Sequence, residues 1–224
     1  NHNPTDLPVR QNNAIDEVHT NSPPNSKMFY KNLILKKIET PSFKYWGSKI
    51  GTEHFVLENI DNIFKNKVIN IKEKKLAEFN YKVLFNIIPT GKFLSKFVPN
   101  IEANCDICGI TEDLEHLLFS CKLSKPIWNL ISSHMYRNLQ VKDILCGVQN
   151  SMAFNYCTTL VAFIIYKYRI ISRNENSTRT PAGLISLISA DVNFRISIYA
   201  LFNNKIIKPE LVKLKNVLNT QPLP

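Results

Sequence analysis

Apolar positions along this chain recur mostly at helical spacing, with lysines on the polar side. The clearest stretch is residues 71–88, IKEKKLAEFNYKVLFNII. There Leu76, Phe79 or Asn80, Val83, Leu84 and Ile87 keep the i, i+3/i+4, i+7 rhythm of an amphipathic helix, and Pro89-Thr90-Gly91 is its expected stop. Upstream, Phe55, Ile60, Ile63 and Phe64 sit at mixed helical spacing. Downstream, Ile127–Leu139 repeats apolar residues at helical intervals, with Trp128 and Leu130 or Ile131 inward. Tyr156–Ile171 reads as a helix with an apolar first half, and Lys167 and Arg169 near its C-terminal end suit the helix dipole. Ala182–Phe202 reads as another helix after an Asn/Ser/Thr-rich break from Asn174 to Pro181, and Lys205–Pro224 as a tail holding at most one amphipathic turn set. The fold class that follows is mainly α.

The N-terminal end differs. Residues 1–27 are rich in Asn and Pro and nearly free of aromatics, so they cannot bury enough surface to offset the entropy of ordering. They read as a disordered linker. Met28–Ile38, MFYKNLILKKI, is short, apolar and basic, and fits a strand or a helical turn set equally. Phe43, Tyr45 and Trp46 then cluster before Gly47, and core or lid packing is their expected use.

Charge and cysteines change the picture from architecture to chemistry. The formal net charge of +10 over 224 residues suits partners rich in phosphate. Lys72, Lys75, Lys82, Lys92 and Lys96 form a basic run, and Lys122 and Lys125 follow a little later. Five cysteines is an odd number, and three of them crowd with a histidine between positions 105 and 121. That pattern points to metal ligation in a reducing compartment, the nucleus and/or the cytoplasm, rather than to disulfides. The first residues show no apolar signal core, and the longest apolar run, Leu160–Tyr166, is too short to span a bilayer. No membrane partner is expected. The chain does not begin with Met, which is consistent with a piece of something longer.

The segment NCDICGITEDLEHLLFSC carries the strongest signal. Cys105 and Cys108 have the C-x2-C spacing by which one tight turn presents two thiolates to one ion, and Gly109 can take the positive φ that folds the backbone under the metal. Thr111 is the expected helix cap, with Glu112 and Asp113 in the first turn and His116 carried inward. His116 and Cys121 are five residues apart, about 140° around an ideal helix, so the helix must end between them for both to reach one ion. Pro126 fits an irregular segment there. Three thiolates and an imidazole close a tetrahedral Zn2+ at a formal charge of about −1, leaving no position for an activated water. Cys146 and Cys157 lie in apolar surroundings and read as buried thiols, and His54 and His134 lack partners at metal spacing.

From Phe79 to Trp128 the sequence resembles the zinc-binding domain at the C-terminal end of LINE-type, non-LTR retrotransposon reverse transcriptases. The shared features are a helix closed by Pro89-Thr90-Gly91, Cys105-x2-Cys108-Gly109, Glu112 before His116, apolar Leu117-Leu118-Phe119, Cys121, and then Trp128. A weaker resemblance reaches Leu160–Arg169. The resemblance implies a module beside a polymerase domain that binds template RNA or target DNA, without a small-molecule substrate. The chain holds no adjacent Asp pair for a polymerase metal turn, so it reads as non-catalytic. A zinc-stapled scaffold docking on a polymerase core is the alternative. The expected layout is a linker over 1–27, a flanking segment over 28–70, a zinc-binding domain over 71–135, a helical region over 136–205 and a tail over 206–224, with the zinc knuckle inserted in a helical domain.

Overall fold

The computed structural model describes residues 41–50, 60–135, 139–174, 178–201 and 205–219, all within the unit Glu39–Pro224. The expectations for residues 1–27, for Met28–Ile38, for His54 and Phe55, and for the side chain of Phe43 lie outside the described residues. Among the described residues the structure is helical, and strand pairing is limited to one isolated bridge between Asn104 and Thr111.

The helices are α1 (Pro41–Ile50), α2 (Ile60–Phe64), α3 (Lys74–Leu84), α4 (Gly91–Leu94), α5 (Lys125–His134), α6 (Val141–Cys146), α7 (Met152–Asn174), α8 (Pro181–Leu201) and α9 (Ile207–Asn219). Two π-helical turns complete them, Lys65–Ile69 directly after α2 and His116–Ser120 before α5. The long helix α7 is the axis of the fold. It contacts α3, α6, α8, α9 and both π turns, and every residue from Asn155 to Ala162 is buried. A helix enclosed on all sides carries little amphipathic rhythm, and its polar positions must find partners inside. Asn155 does so by pairing both ends of its amide with the Val148 backbone, at 2.7 and 2.9 Å.

The face of α3 is as its periodicity predicts for Leu76, Phe79, Asn80, Val83 and Leu84, all buried. Its end is not. The helix stops at Leu84, and Asn86 takes a positive φ of 51°, so the chain turns before Pro89 and leaves Ile87 exposed. Asn tolerates that left-handed backbone because its short polar side chain bonds locally. Thr90 instead opens α4, its hydroxyl accepting the Phe93 N–H at 3.2 Å.

Pro126 also differs from expectation. It occupies the first turn of α5, where its missing N–H costs nothing, rather than an irregular stretch. The segment read as a tail forms α9, which buries Ile207, Leu211, Leu214, Val217 and Leu218 and packs on α5, α7 and α8. By length and composition α8 is apolar enough to cross a membrane, with 17% of its most apolar window buried. It is nonetheless tied to the fold by charge: Arg195, steadied by Asp191 one turn back on α8 at 2.5 Å, pairs with Glu73 at the start of α3.

Candidate metal centre

The metal segment is built on three local devices. The first is a knuckle: Gly109 at φ 72° lets its N–H reach the Cys105 carbonyl at 2.8 Å, while Cys105 N–H donates to Ile110 at 2.8 Å. A Cβ on Gly109 would meet nothing within 4 Å, so the glycine is there for its backbone conformation alone. Its N–H is not aimed at a sulfur. The N–H groups of Ile107 and Cys108 serve Cys105 Sγ, and those of Lys122 and Leu123 approach Cys108 and Cys121 Sγ at 3.4 and 3.5 Å.

The second device is a cap. Asp113, not Thr111, opens the ligand helix, its carboxylate accepting the His116 N–H at 2.9 Å while Lys49 of α1 pairs with it at 3.1 Å. Thr111 is spent on the bridge to Asn104. Together with hydrogen bonds from His116 and Tyr45, Lys49 holds the Asp113 carboxyl below its ordinary value, although burial opposes the shift.

The third is the π turn. Cys121 N–H bonds to the His116 carbonyl at 2.8 Å, five residues back, and Cys121 itself leaves the helix at ψ 142°. An α-helix would put these two residues on different faces; the widened turn brings them together. It also frees the Leu118 carbonyl, which accepts from Trp128 Nε1 at 2.7 Å. Phe119 is held between Trp46 and Trp128, with ring centroids 6.5 and 6.0 Å away.

The four predicted ligands therefore converge. One donor atom from each of Cys105, Cys108, His116 and Cys121 lies within 4.8 Å of the others. Cys121 Sγ stands 3.9 Å from Cys105 Sγ and 3.7 Å from Cys108 Sγ, close to the edge of about 3.8 Å expected for sulfurs ~2.3 Å from one tetrahedral ion. His116 is buried, and neither ring nitrogen has a hydrogen-bond partner. Such orphaned nitrogens are costly unless one binds a metal. The donor set fits Zn2+. The Cys105 thiol is held well below its ordinary value, first by the hydrogen bond from Cys121, with the N–H groups of Ile107 and Cys108 acting the same way against burial. Thiolate is the form a metal requires.

Residues 52–128 match the family described as zinc-binding in reverse transcriptase. The match takes in all four ligands and about a third of the 224 residues. No curated protein and no solved structure matches the chain.

The zinc-binding segment is anchored from outside its matched boundaries. Glu112, expected in a helix's first turn, is instead buried and paired with Arg169, while Arg173 stands 4.0 Å away. The same carboxylate accepts the Gly91 N–H at 2.8 Å, and the Glu112 backbone bonds Lys92 and Ala103 at 3.0 and 2.8 Å. Gly91 has no room for a Cβ that would not press on the Glu102 and Ala103 carbonyls at 3.0 Å. Arg169 is thus an internal ion-pair partner rather than a cation serving the dipole of α7. Arg179 pairs with Asp106 of the knuckle, and both Arg173 and Arg179 feel the field of Cys105.

The predicted lysines fall into three groups. Lys72, Lys75 and Lys82 are exposed on or just before α3, Lys92 and Lys96 on and after α4, and Lys122 and Lys125 between Cys121 and the start of α5. Lys82 pairs with Glu78 at 2.6 Å. Sequence reasoning passed over Lys67, which is buried and donates to Thr159 Oγ1 at 2.8 Å. Burial pulls it down to about 7. Asn80 shares the site, donating to the Lys67 carbonyl at 2.6 Å and to Thr159 Oγ1 at 2.9 Å. A cavity of about 10 Å³, room for one water, adjoins them. Cys146 and Cys157 are buried as expected, and exposed His134 bonds Ser133 and the Leu130 carbonyl.

Proposed function

We propose that this chain is a non-catalytic module of a LINE-type, non-LTR retrotransposon reverse transcriptase, acting in the nucleus and/or cytoplasm beside a polymerase domain. Its metal is structural, and its task is to hold basic surface in shape for template RNA or target DNA. The observation that carries this reading is the closed set of four buried or half-buried donors, which leaves no coordination position for chemistry. The exposed lysines on α3, on α4 and after Cys121 supply the charge that phosphate binding needs. Lys72, Lys75, Lys82, Lys92, Lys96, Lys122 and Lys125 are the proposed contacts. The test is titration of zinc-loaded protein with single-stranded RNA and duplex DNA across salt. Affinity should fall linearly on a log–log plot, and no binding to either at low salt would sink the reading.

A second reading, a scaffold docking on a polymerase core, draws on α8. Its Phe194 and Leu201 are large apolar groups left 65% and 84% exposed on a helix that is apolar over much of its length. Sedimentation of the isolated chain separates the two, since a naked docking face drives self-association independent of salt.

A further inference from the structure

The turn that follows α4 presents a ring to solvent. Phe97 is 70% exposed, although the core of this chain takes up other aromatics such as Trp46, Phe79 and Tyr156. The ring is not on a loose end. Thr90 caps α4, Ser95 N–H bonds Gly91 at 3.0 Å, and the N–H groups of Phe97 and Val98 both return to the Leu94 carbonyl at 3.0 and 2.9 Å. The base of the helix is fastened to the zinc segment by the Gly91 and Lys92 N–H bonds to Glu112. Half-buried Phe93 backs the ring at a centroid distance of 5.4 Å.

Along the chain, the charged residues nearest it on the N-terminal side have one sign. Lys92 on α4 and Lys96 in the turn after it are both exposed, and the sequence holds no Asp or Glu between Glu78 and Glu102. The Glu112 carboxylate at the base of α4 is buried and engaged by Arg169. A rigid aromatic face set among cations matches single-stranded nucleic acid, in which unpaired bases stack and phosphates need counter-charge. A purely apolar protein partner would have to bury those lysines at a cost. We propose that Phe97, backed by Phe93 and flanked by Lys92 and Lys96, is a stacking platform for an unpaired base of single-stranded RNA or DNA. This rests on the nucleic-acid reading above and deepens it by naming the strand form and the residue.

The test uses the full zinc-loaded chain, fluorescent oligo-U and oligo-dT of about 12 nucleotides, and a duplex of equal length. Phe97→Ala should weaken single-strand binding roughly 5- to 150-fold, the range for loss of one stacked base, and leave duplex binding unchanged. Phe97→Trp should restore affinity, with its emission changed by the oligonucleotide. Lys92→Ala with Lys96→Ala should lower the salt slope for both ligands. Wild-type single-strand affinity in Phe97→Ala overturns the platform and leaves the function reading standing. Reduced self-association in that variant, with unchanged oligonucleotide binding, overturns it in favour of a protein contact. Failure of the wild type to bind any of the three probes overturns both.

Discussion

Two π-helical turns, Lys65–Ile69 and His116–Ser120, both pack against α7 and both carry polar side chains into the interior. In the second, the inward groups are His116 and, one step beyond, Cys121, which meet two more donors around a point where an ion fits. In the first, the inward groups are Asn66 and Lys67, and among the described residues Lys67 donates to the Thr159 hydroxyl. A π turn adds a residue to the helical circuit and so points a side chain where the α period would not. What that side chain meets decides whether the device stabilises the fold or strains it. Around His116 a bound cation would offset the thiolates; around Lys67 no carboxylate stands among the described residues, and burial favours loss of the proton.

The largest effect should come from removing the metal. Chelation, or Cys105→Ser, leaves buried thiols and an orphaned imidazole. Because structural zinc is worth about 10–16 kcal/mol in small zinc domains, amide protection across residues 91–128 should collapse. Hydrogen exchange with and without chelator measures this, and identical protection would break the contrast between the turns. Next is Glu112→Gln, which strands Arg169 in the interior at a cost of about 3–5 kcal/mol by urea unfolding. Adding Arg169→Met should recover much of that loss.

Lys67→Met tests the opposite turn. Lys67 is held at about 7 when folded, against an ordinary value of 10.5, so between those pH values the unfolded chain binds the extra proton. Stability should therefore rise as pH climbs through that window and be lowest below it. The methionine variant should flatten that rise and unfold at higher denaturant at pH 6, by about 1–4 kcal/mol. A variant less stable than wild type at pH 6 would show that Lys67 holds its turn as the metal holds the other. The smallest effect is Gly109→Ala. With no neighbour to clash, only the left-handed backbone resists it, at about 1–2 kcal/mol, and zinc stoichiometry should stay unchanged.

The ligands were readable in the sequence because they are local: four donor types inside one short window leave few other uses. The helical faces of α3 and α5 were readable because burial on one side imposes a period, whereas α7 was readable as an apolar stretch closed by cations. Asp113 had a signal too, an aspartate three residues before His116 at cap spacing, but the neighbouring Thr111 competes for the same role. The Glu112–Arg169 pair had none. Opposite charges far apart in sequence carry no period or motif, and Arg169 near the end of an apolar helix looks like an ordinary surface cation. Lys67 was illegible for a related reason, since its burial follows from a π turn that no local pattern announces. Asn86 shows the same limit at a helix end, where one residue's left-handed backbone overrode the stronger proline signal behind it.

The separation between Glu112 and Arg169, 57 residues, also orders events in time. At ribosomal speeds that stretch takes roughly 3–11 s to synthesise, whereas closing a loop of ten residues takes about 10–100 ns. The nascent knuckle can thus capture its ion while Glu112 still awaits its arginine. The pair then acts as a latch, engaging a preformed metal lobe only when α7 emerges to receive it.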